Sequence, residues 1–589
     1  MKENKKPQKS YFKIYKELMG PRFKICKWLI LLVLFYSVIS LINSLVFAKY
    51  GIDYALQSGK WSKIVITAVA IFICYLLSDL SFHLAWNISI KNKKIICIDL
   101  RQKVFHKMIN FDTDYYSNHA SGAMLHTVVS DIETFADGGV WNLIWMSYSI
   151  INIIASLFLA TFINFKLSLI LWAVIPLVSV GSYYLIKQTN KLYDKRREIN
   201  KYRLGHINEG IMGYTTIKNL NLDDRNVKEF RGHSTKYAHL DFSVGLLHQS
   251  FWRFFDLAVF ICLAIFYYLS YKQYINLHIS LGELYLYFIL FTKCLYSIAD
   301  LAGELDYFGE VMVAARKIDG ALNHTCLVEN KENIIKGPDK LKGNIHLNKV
   351  TFKYPKGETI LSDFSLNIKE KEKIAIVGRT GSGKSTIASL IYRLYEPNKG
   401  QLLLDDQDYT DYSLSYIHSQ IGFILQEPLM FDDSILNNIK YGKLDASLEE
   451  VIEVAKLVGI HEYIDSLPNK YDSNMGEGGV SLSLGQKQMI SFARVLLKNP
   501  SIVILDEATA NVDTETEKIM QDSINKFFKD KTCIFIAHRL STIRDVDRIL
   551  YLEKGKVLEE GNHDKLMEKK GKYYSLYQSQ FINKELESI

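Results

Sequence analysis

"KIAIVGRTGSGKST", residues 373–386, decides the fold of the second half of the chain. It opens as a β-branched apolar strand, passes through glycines and runs into the helical pattern "KSTIASLIYRLY". Strand, glycine-rich loop and helix in that order let backbone N–H groups converge on phosphate oxygens at a helix N-terminus. Gly378, Gly381 and Gly383 give the loop its freedom, and Arg379, Thr380, Ser382 and Thr386 complete the phosphate-binding run. Lys384 supplies a point charge for the β and γ phosphates, and Ser385 a hydroxyl ligand for Mg²⁺. An α/β nucleotide-binding domain follows.

A second stretch, "SIVILDEATA" at 501–510, supports the same domain. A buried apolar strand ends in two carboxylates, at the strand end where α/β folds place ligands. Asp506 is the candidate partner of hydrated Mg²⁺, and Glu507 the base or orienting group for an attacking water. Neighbours on an extended strand point opposite ways, so the two carboxylates have separate tasks.

Outward from this domain the composition changes. The chain has 589 residues, too many for one ordinary core, and all seven tryptophans fall within the first 252. Six apolar runs are read there as membrane spans: Phe23 to Ala48, Ser62 to Trp86, Val140 to Ile163, Leu167 to Ile186, Phe251 to Leu269 and Leu281 to Ala302. A helix rises ~1.5 Å per residue and the hydrocarbon layer is ~30 Å thick, so about twenty apolar residues cross it. Trp28, Trp61, Trp141 and Trp252 stand near span starts, as interfacial anchors. The expected fold is thus a six-helix transmembrane bundle with long cytoplasmic extensions, fused to the P-loop domain. Domain limits are read as 1–22, an amphipathic segment; 23–316, the transmembrane domain; 317–342, a linker; 343–580, the nucleotide domain; and 581–589, a tail.

Lysine and arginine crowd the N-terminal segment and the connections 91–139 and 187–250, and are sparse in 50–60, 164–166 and 270–280. Basic connections stay in the cytoplasm, so the expected protein is a multi-pass one of the cell membrane with both termini cytoplasmic. The N-terminal "MKENKKPQKSYFKIYKELMGPRFKICK" shows no cleavage pattern, and Tyr11, Phe12, Ile14, Tyr15 and Leu18 suit a helix lying on anionic lipid. No peptidase-like segment precedes the first span, so leader processing is not expected. The seven cysteines show no paired spacing, which argues against a zinc or disulfide framework. Five ionisable residues fall within spans: Asp79, His83, Asp256, Lys293 and Asp300. Charges at that depth face a bundle interior or a water-filled path, so they are candidates for the substrate path, with interhelical pairing as the alternative.

Together these residues resemble the ATP-binding cassette family, specifically an exporter half-transporter, from about Tyr11 to Gln580. The P-loop and "VILDE" are joined, in the family's order, by "FKYP" with Tyr354 and "IGFILQEPLMFDDSILNNIKYG" with Gln426. "GEGGVSLSLGQ", "ANVD" with Asp513 and "FIAHRLST" with His538 complete the series. The resemblance implies that Tyr354 stacks on adenine, that Gln426 senses γ-phosphate and Mg²⁺, and that His538 contacts the γ-phosphate. It implies a dimer that sandwiches two ATP molecules, each held by one chain's P-loop and the other's Ser483, Gly485 and Gln486. The tips near Phe111 to Asn118 and Gly213 to Asn219 would be coupling elements. Activity would be ATP hydrolysis driving export of a substrate, with an ATP-gated channel or receptor regulator as the competing class and no nucleic-acid partner.

One letter departs from the pattern: in "VSLSLGQKQ" Leu484 replaces the first glycine of the signature. It is tolerated if the backbone there is right-handed and damaging if φ must be positive. Since exporters built of two different halves often carry one weakened site, a heterodimer stands beside the homodimer.

Overall fold

The structure is a computed structural model that describes residues 9–118, 121–275, 279–355, 357–476, 479–506, 527–536 and 543–587. The chain divides into two compact units, Met1–Asn110 with Ser121–His324, and Phe111–Ala120 with Thr325–Ile589.

The first unit is helical. Its elements are α1 (Tyr11–Met19), α2 (Phe23–Leu45, continued by a π-helical stretch Val46–Leu56) and α3 (Trp61–Ile109). After α4 (Thr113–Asn118), which groups with the second unit, come α5 (Ser121–His126), α6 (Ile132–Ile163), α7 (Phe165–Met212), α8 (Tyr214–Asn219), α9 (Asp223–Ile275) and α10 (Leu281–Leu322). The 49 residues of α3 would measure ~74 Å, more than twice the hydrocarbon thickness, so much of the helix extends beyond a bilayer.

Five helical stretches are long and apolar enough to cross a membrane: Tyr11–Leu56, Trp61–Ile109, Gly122–Ile163, Asp223–Tyr271 and Leu281–Leu322. The remaining expected span lies in α7, where the apolar helical stretch is the shorter Phe165–Gly181. Five of the six expected spans thus meet the length and apolarity of a membrane crossing among the described residues. Pro176 sits inside α7.

Two anchors set α6 antiparallel to α10. The Tyr287 hydroxyl donates to the Ala160 carbonyl at 2.6 Å, and the Asn142 amide donates to the Glu304 carboxylate at 2.6 Å. Gly138 lets the helices close, because a Cβ there would collide with the Val311 side chain.

The N-terminal helix departs from the expectation of a lipid-lying segment. Ile14, Tyr15, Leu18 and Met19 are buried within the protein, and the Tyr15 hydroxyl donates to the Gly139 carbonyl. Arg316 lies 4.1 Å over the Tyr11 ring, and Lys9 pairs with Asp319 at 3.3 Å. Tyr15 and Met19 thus meet α6 at Gly139 while the helix lies along α10, and Phe12 is its most exposed apolar residue. Trp141 also differs from a membrane-surface anchor: it packs edge-on against Trp86, with ring centroids 3.9 Å apart.

The second unit has two sheets. β1 (Ile345–Lys353), β2 (Thr359–Ile368), β4 (Lys399–Leu404) and β5 (Gln407–Asp408) form an antiparallel sheet in the order β2-β1-β4-β5. The second sheet runs β10-β9-β3-β8-β7-β6, where β3 is Lys373–Val377, β6 Ile421–Ile424, β7 Ile502–Asp506, β8 Thr532–Ile536, β9 Arg548–Glu553 and β10 Lys556–Gly561. All but β10 are parallel, and the apolar runs of β3, β7 and β8 are buried on both faces, as crossover helices require. The connecting helices are α11 (Lys384–Ile391), α12 (Leu414–Gln420), α13 (Ile435–Lys440), α14 (Leu448–Leu457), α15 (His461–Asp465) and α16 (Leu484–Lys498). Arg393, buried in this unit, donates to the carbonyls of Glu329, Tyr409 and Tyr412 and pairs with Glu396 at 2.8 Å, tying the segment before β1 to the domain.

Candidate nucleotide-binding site

The parallel register gathers the predicted groups at one edge of the sheet. Ile376 of β3 and Asp506 of β7 are both paired with Ile536 of β8, and Ile424 of β6 is paired with Leu505. The P-loop after β3, Asp506 at the end of β7 and Gln426 just after β6 therefore leave the same carboxyl-terminal edge, where parallel sheets bind ligands.

The loop has the geometry its glycines predict. Gly378 has φ 149° and a Cβ there would collide with the Leu552 carbonyl; Gly383, at φ 106°, caps α11 in a left-handed conformation. Only glycine takes both positions without strain. Lys384 is buried at the start of α11, its ammonium donating to the carbonyls of Gly378 at 2.9 Å and Arg379 at 3.1 Å. The buried Ser382 hydroxyl has no hydrogen-bond partner among the described residues. A buried hydroxyl lacking a partner beside a cradle of amides fits a phosphate group, whose oxygens would satisfy it.

Tyr354, just past β1, is held by a 3.2 Å contact between its hydroxyl and Thr386 on α11. Its ring meets Tyr395 edge-on at 5.1 Å and Phe352 at 4.9 Å, so the aromatic platform is fixed beside the P-loop helix. Ser385 and Gln426 are exposed and Asp506 half-buried.

Ser483 is the N-cap of α16. Its hydroxyl accepts from the Gln486 N–H at 3.2 Å, and the Gln486 side chain accepts from the Ser483 N–H at 2.9 Å, a reciprocal capping box. Leu484 is the first helical residue and does not have a positive φ. The backbone at this letter is right-handed, so the leucine fits without strain. Gly485 is buried in the first turn.

Glu507, Asp513 and His538 lie outside the described residues. Of the two tips, Phe111–Ala120 groups with the nucleotide unit, where the Leu327 N–H donates to Asp112. The second forms α8 within the membrane unit and exposes Met212, Tyr214 and Leu220.

The charges in the spans are mostly engaged. Asp79 and His83 approach to 3.5 Å on α3, Asp256 lies 3.6 Å from Arg253, and the Lys293 ammonium donates to the Ser40 hydroxyl at 2.9 Å. Asp300 is half-buried on α10. The Asn142–Glu304 pair escaped the sequence reading because Glu304 lies just beyond the apolar run. Its signal was the spacing Lys293, Asp300, Glu304, which keeps one helical face.

Comparison with known proteins agrees with this geometry. Residues 361–510 match the model of the ABC transporter family and residues 28–296 that of the ABC transporter transmembrane region. YgaD of Bacillus subtilis, whose name proposes a multidrug export ATP-binding/permease protein, is 31% identical over 552 residues, covering 91% of this chain and 93% of that protein. YknU of Bacillus subtilis, named an uncharacterized ABC transporter ATP-binding protein, is 30% identical over 595 residues, with 97% of each covered. A solved structure of a bacterial Atm1-family ABC exporter with ATP bound shares the fold with TM-score 0.82 at 23% identity, covering 94% of this chain and 98% of that one.

The chain belongs to the ATP-binding cassette transporter family. It binds ATP and is an ATPase coupled to transport across a membrane. More narrowly, it is a multi-pass half-transporter of the exporter type, which works as a dimer.

Proposed function

We propose that two copies of this chain form the exporter, with six spans each and both termini on the cytoplasmic side of the cell membrane. The carrying observation is the pair of phosphate-facing devices in one chain: the Gly378–Ser385 loop with its buried Lys384, and the capping box that presents Ser483 at the start of α16. Because the Ser483 oxygen already accepts from Gln486, its own proton is left to donate to a γ-phosphate held by the partner's P-loop. The intact backbone at Leu484 supports two working sites and hence a homodimer.

Ser385, Gln426 and Asp506 would hold Mg²⁺: they are hard oxygen donors leaving one edge of the sheet, a set suited to that cation. When bound, Mg²⁺ supplies charge neutralisation on the transferred phosphoryl group. Glu507 would orient the attacking water and accept its proton, His538 would hydrogen-bond the γ-phosphate, Asp513 would belong to the nucleotide-contacting set, and Tyr354 would stack on adenine. The Lys384 ammonium would turn from its loop carbonyls to the phosphates.

The cargo is proposed to be an amphipathic organic compound, of the multidrug kind that the YgaD name proposes. Support comes from the ring cluster Tyr36, Phe82, Trp86, Trp141, Trp145 and Tyr148 between α2, α3 and α6. Asp79, His83, Asp256, Lys293 and Asp300 remain the proposed polar path. Mass measurement of the complex drawn from its native membrane tests the assembly: twice the 67.9 kDa chain is expected, and a second, different chain would replace the homodimer with a heterodimer.

A further inference from the structure

Arg494 stands outside the phosphate-binding motifs, yet its guanidinium joins the two segments that carry Gln426 and Ser483. From α16 its Nε donates to the Asn438 carbonyl at 2.6 Å, Nη1 to the Leu429 carbonyl at 2.6 Å and Nη2 to the Asn438 side-chain oxygen at 2.7 Å. It also lies 5.7 Å from the Phe431 ring centroid and 3.6 Å from the Met430 sulfur. Among the described residues no carboxylate pairs with it, so the positive charge is met by carbonyl dipoles, the Met430 sulfur and the Phe431 ring. An arginine held this way acts through the fixed geometry of its fork, which a lysine cannot reproduce.

Asn438 completes the node. It is fully buried, its side-chain oxygen also accepts from the Phe431 N–H at 2.9 Å, and its amide reaches the carbonyls of Phe431 at 3.0 Å and Ser434 at 3.0 Å. Gly442 lets this segment lie on α16, since a Cβ there would strike the Arg494 carbonyl. A second attachment lies nearer the phosphate end, where Gln488 on α16 donates to the Gln426 carbonyl at 3.4 Å. The two attachment points on α16, six residues apart, are separated by ~9 Å of helical rise, and three residues of chain reach at most ~10 Å, so the spacings match.

We propose that Arg494, with Asn438, is a positioning residue that straps the segment following Gln426 along α16, so that the orientation in which Ser483 is presented to the partner's ATP follows the position of Gln426 at this chain's own. The strap makes the two ATP sites of the dimer interdependent through one side chain. The proposal rests on the reading of Gln426 and Ser483 as γ-phosphate contacts.

The test is steady-state ATPase of the purified full-length dimer for wild type, Arg494→Lys, Asn438→Asp, the double variant and Ser483→Ala, with thermal midpoints measured in parallel. Arg494→Lys is expected to lower kcat about tenfold while KM for ATP stays within about twofold, because the P-loop is untouched. Asn438→Asp should act in the same direction, and the double variant should be no more than about twofold worse than the poorer single, as for residues acting as one unit. Wild-type kcat in Arg494→Lys would overturn the proposal. So would a loss that tracks a lowered thermal midpoint and returns on cooling, which marks a purely structural role. Wild-type turnover in Ser483→Ala would instead overturn the underlying reading of the signature.

Discussion

The nucleotide unit and the membrane unit bury apolar residues for different reasons, and the difference shows in which residues each requires. In the nucleotide unit Ile374, Ile376, Ile502, Ile504, Ile534 and Ile536 are sealed on one face of the parallel sheet and Ala375, Val503, Cys533 and Phe535 on the other, and the chain between them must then grip a phosphate at hydrogen-bond distance. In the membrane unit Leu76, Leu80 and Leu84 of α3 stay 49%, 58% and 47% exposed on the chain's own surface. There any apolar side chain serves, since the surrounding solvent is as apolar as the side chain. Identity is dictated where polar atoms are gripped, and only character where lipid is met.

Four substitutions sharpen or break this contrast. The largest effect is expected for Lys384→Met: ATPase turnover should fall at least about a hundredfold, since the charge proposed to meet the β and γ phosphates is removed. Turnover within a few-fold of wild type would break the assignment of the loop. Gly378→Ala comes next, because the new Cβ meets the Leu552 carbonyl and φ stays at 149°. ATP affinity measured by nucleotide displacement should drop about tenfold or more, and full affinity would contradict the strained loop.

The membrane unit should answer more weakly. Asn142→Ala removes the donor to Glu304 across α6 and α10, and an interhelical hydrogen bond in a bilayer contributes about 0.6 kcal/mol on average, with larger cases near 1.7. A drop of a few degrees in the thermal midpoint in detergent is expected; no change would mean the pair contributes nothing. Smaller again, Leu484→Gly should change turnover less than about twofold, because the position is a right-handed first helical turn. A large gain would show that the leucine weakens the composite site after all.

The smallest effect concerns pH. Burial pushes the His418 imidazole below its ordinary range, where it stacks on Tyr392 at 4.5 Å. The folded state therefore favours the neutral ring and the unfolded state binds the proton more readily. Stability from this group is complete above the unfolded value of 6.5 and declines as pH falls below it. His418→Gln should flatten the pH dependence of the thermal midpoint between about pH 6.5 and 5, and an unchanged slope would remove the histidine from the account.

What was legible in the sequence follows the same divide. Gly378, Gly383, Lys384 and the "VILD" strand could be read singly, because each backbone or charge requirement admits few residues. Span boundaries could be read only as runs, and α7 shows the limit: the helix continues unbroken from Phe165 to Met212, far past the expected span end at Ile186. The burial of Ile14, Tyr15 and Leu18 within the protein was hidden because an amphipathic helix does not state whether lipid or protein covers it. Arg494 was hidden because two of its hydrogen bonds go to main-chain carbonyls, which leave no mark in a sequence, and the third to Asn438, whose amide is neutral. Leu484 looked like damage because the motif records a glycine, whereas the helix needs only an ordinary first turn.

The central claim is that ATP hydrolysis by this chain drives export. Inside-out vesicles bearing the transporter, offered a fluorescent amphipathic dye and ATP, test it most directly. ATP-dependent accumulation against a gradient is expected, lost in Glu507→Gln while ATP binding persists. Dye movement that only equilibrates, or accumulation unchanged in that variant, would contradict it.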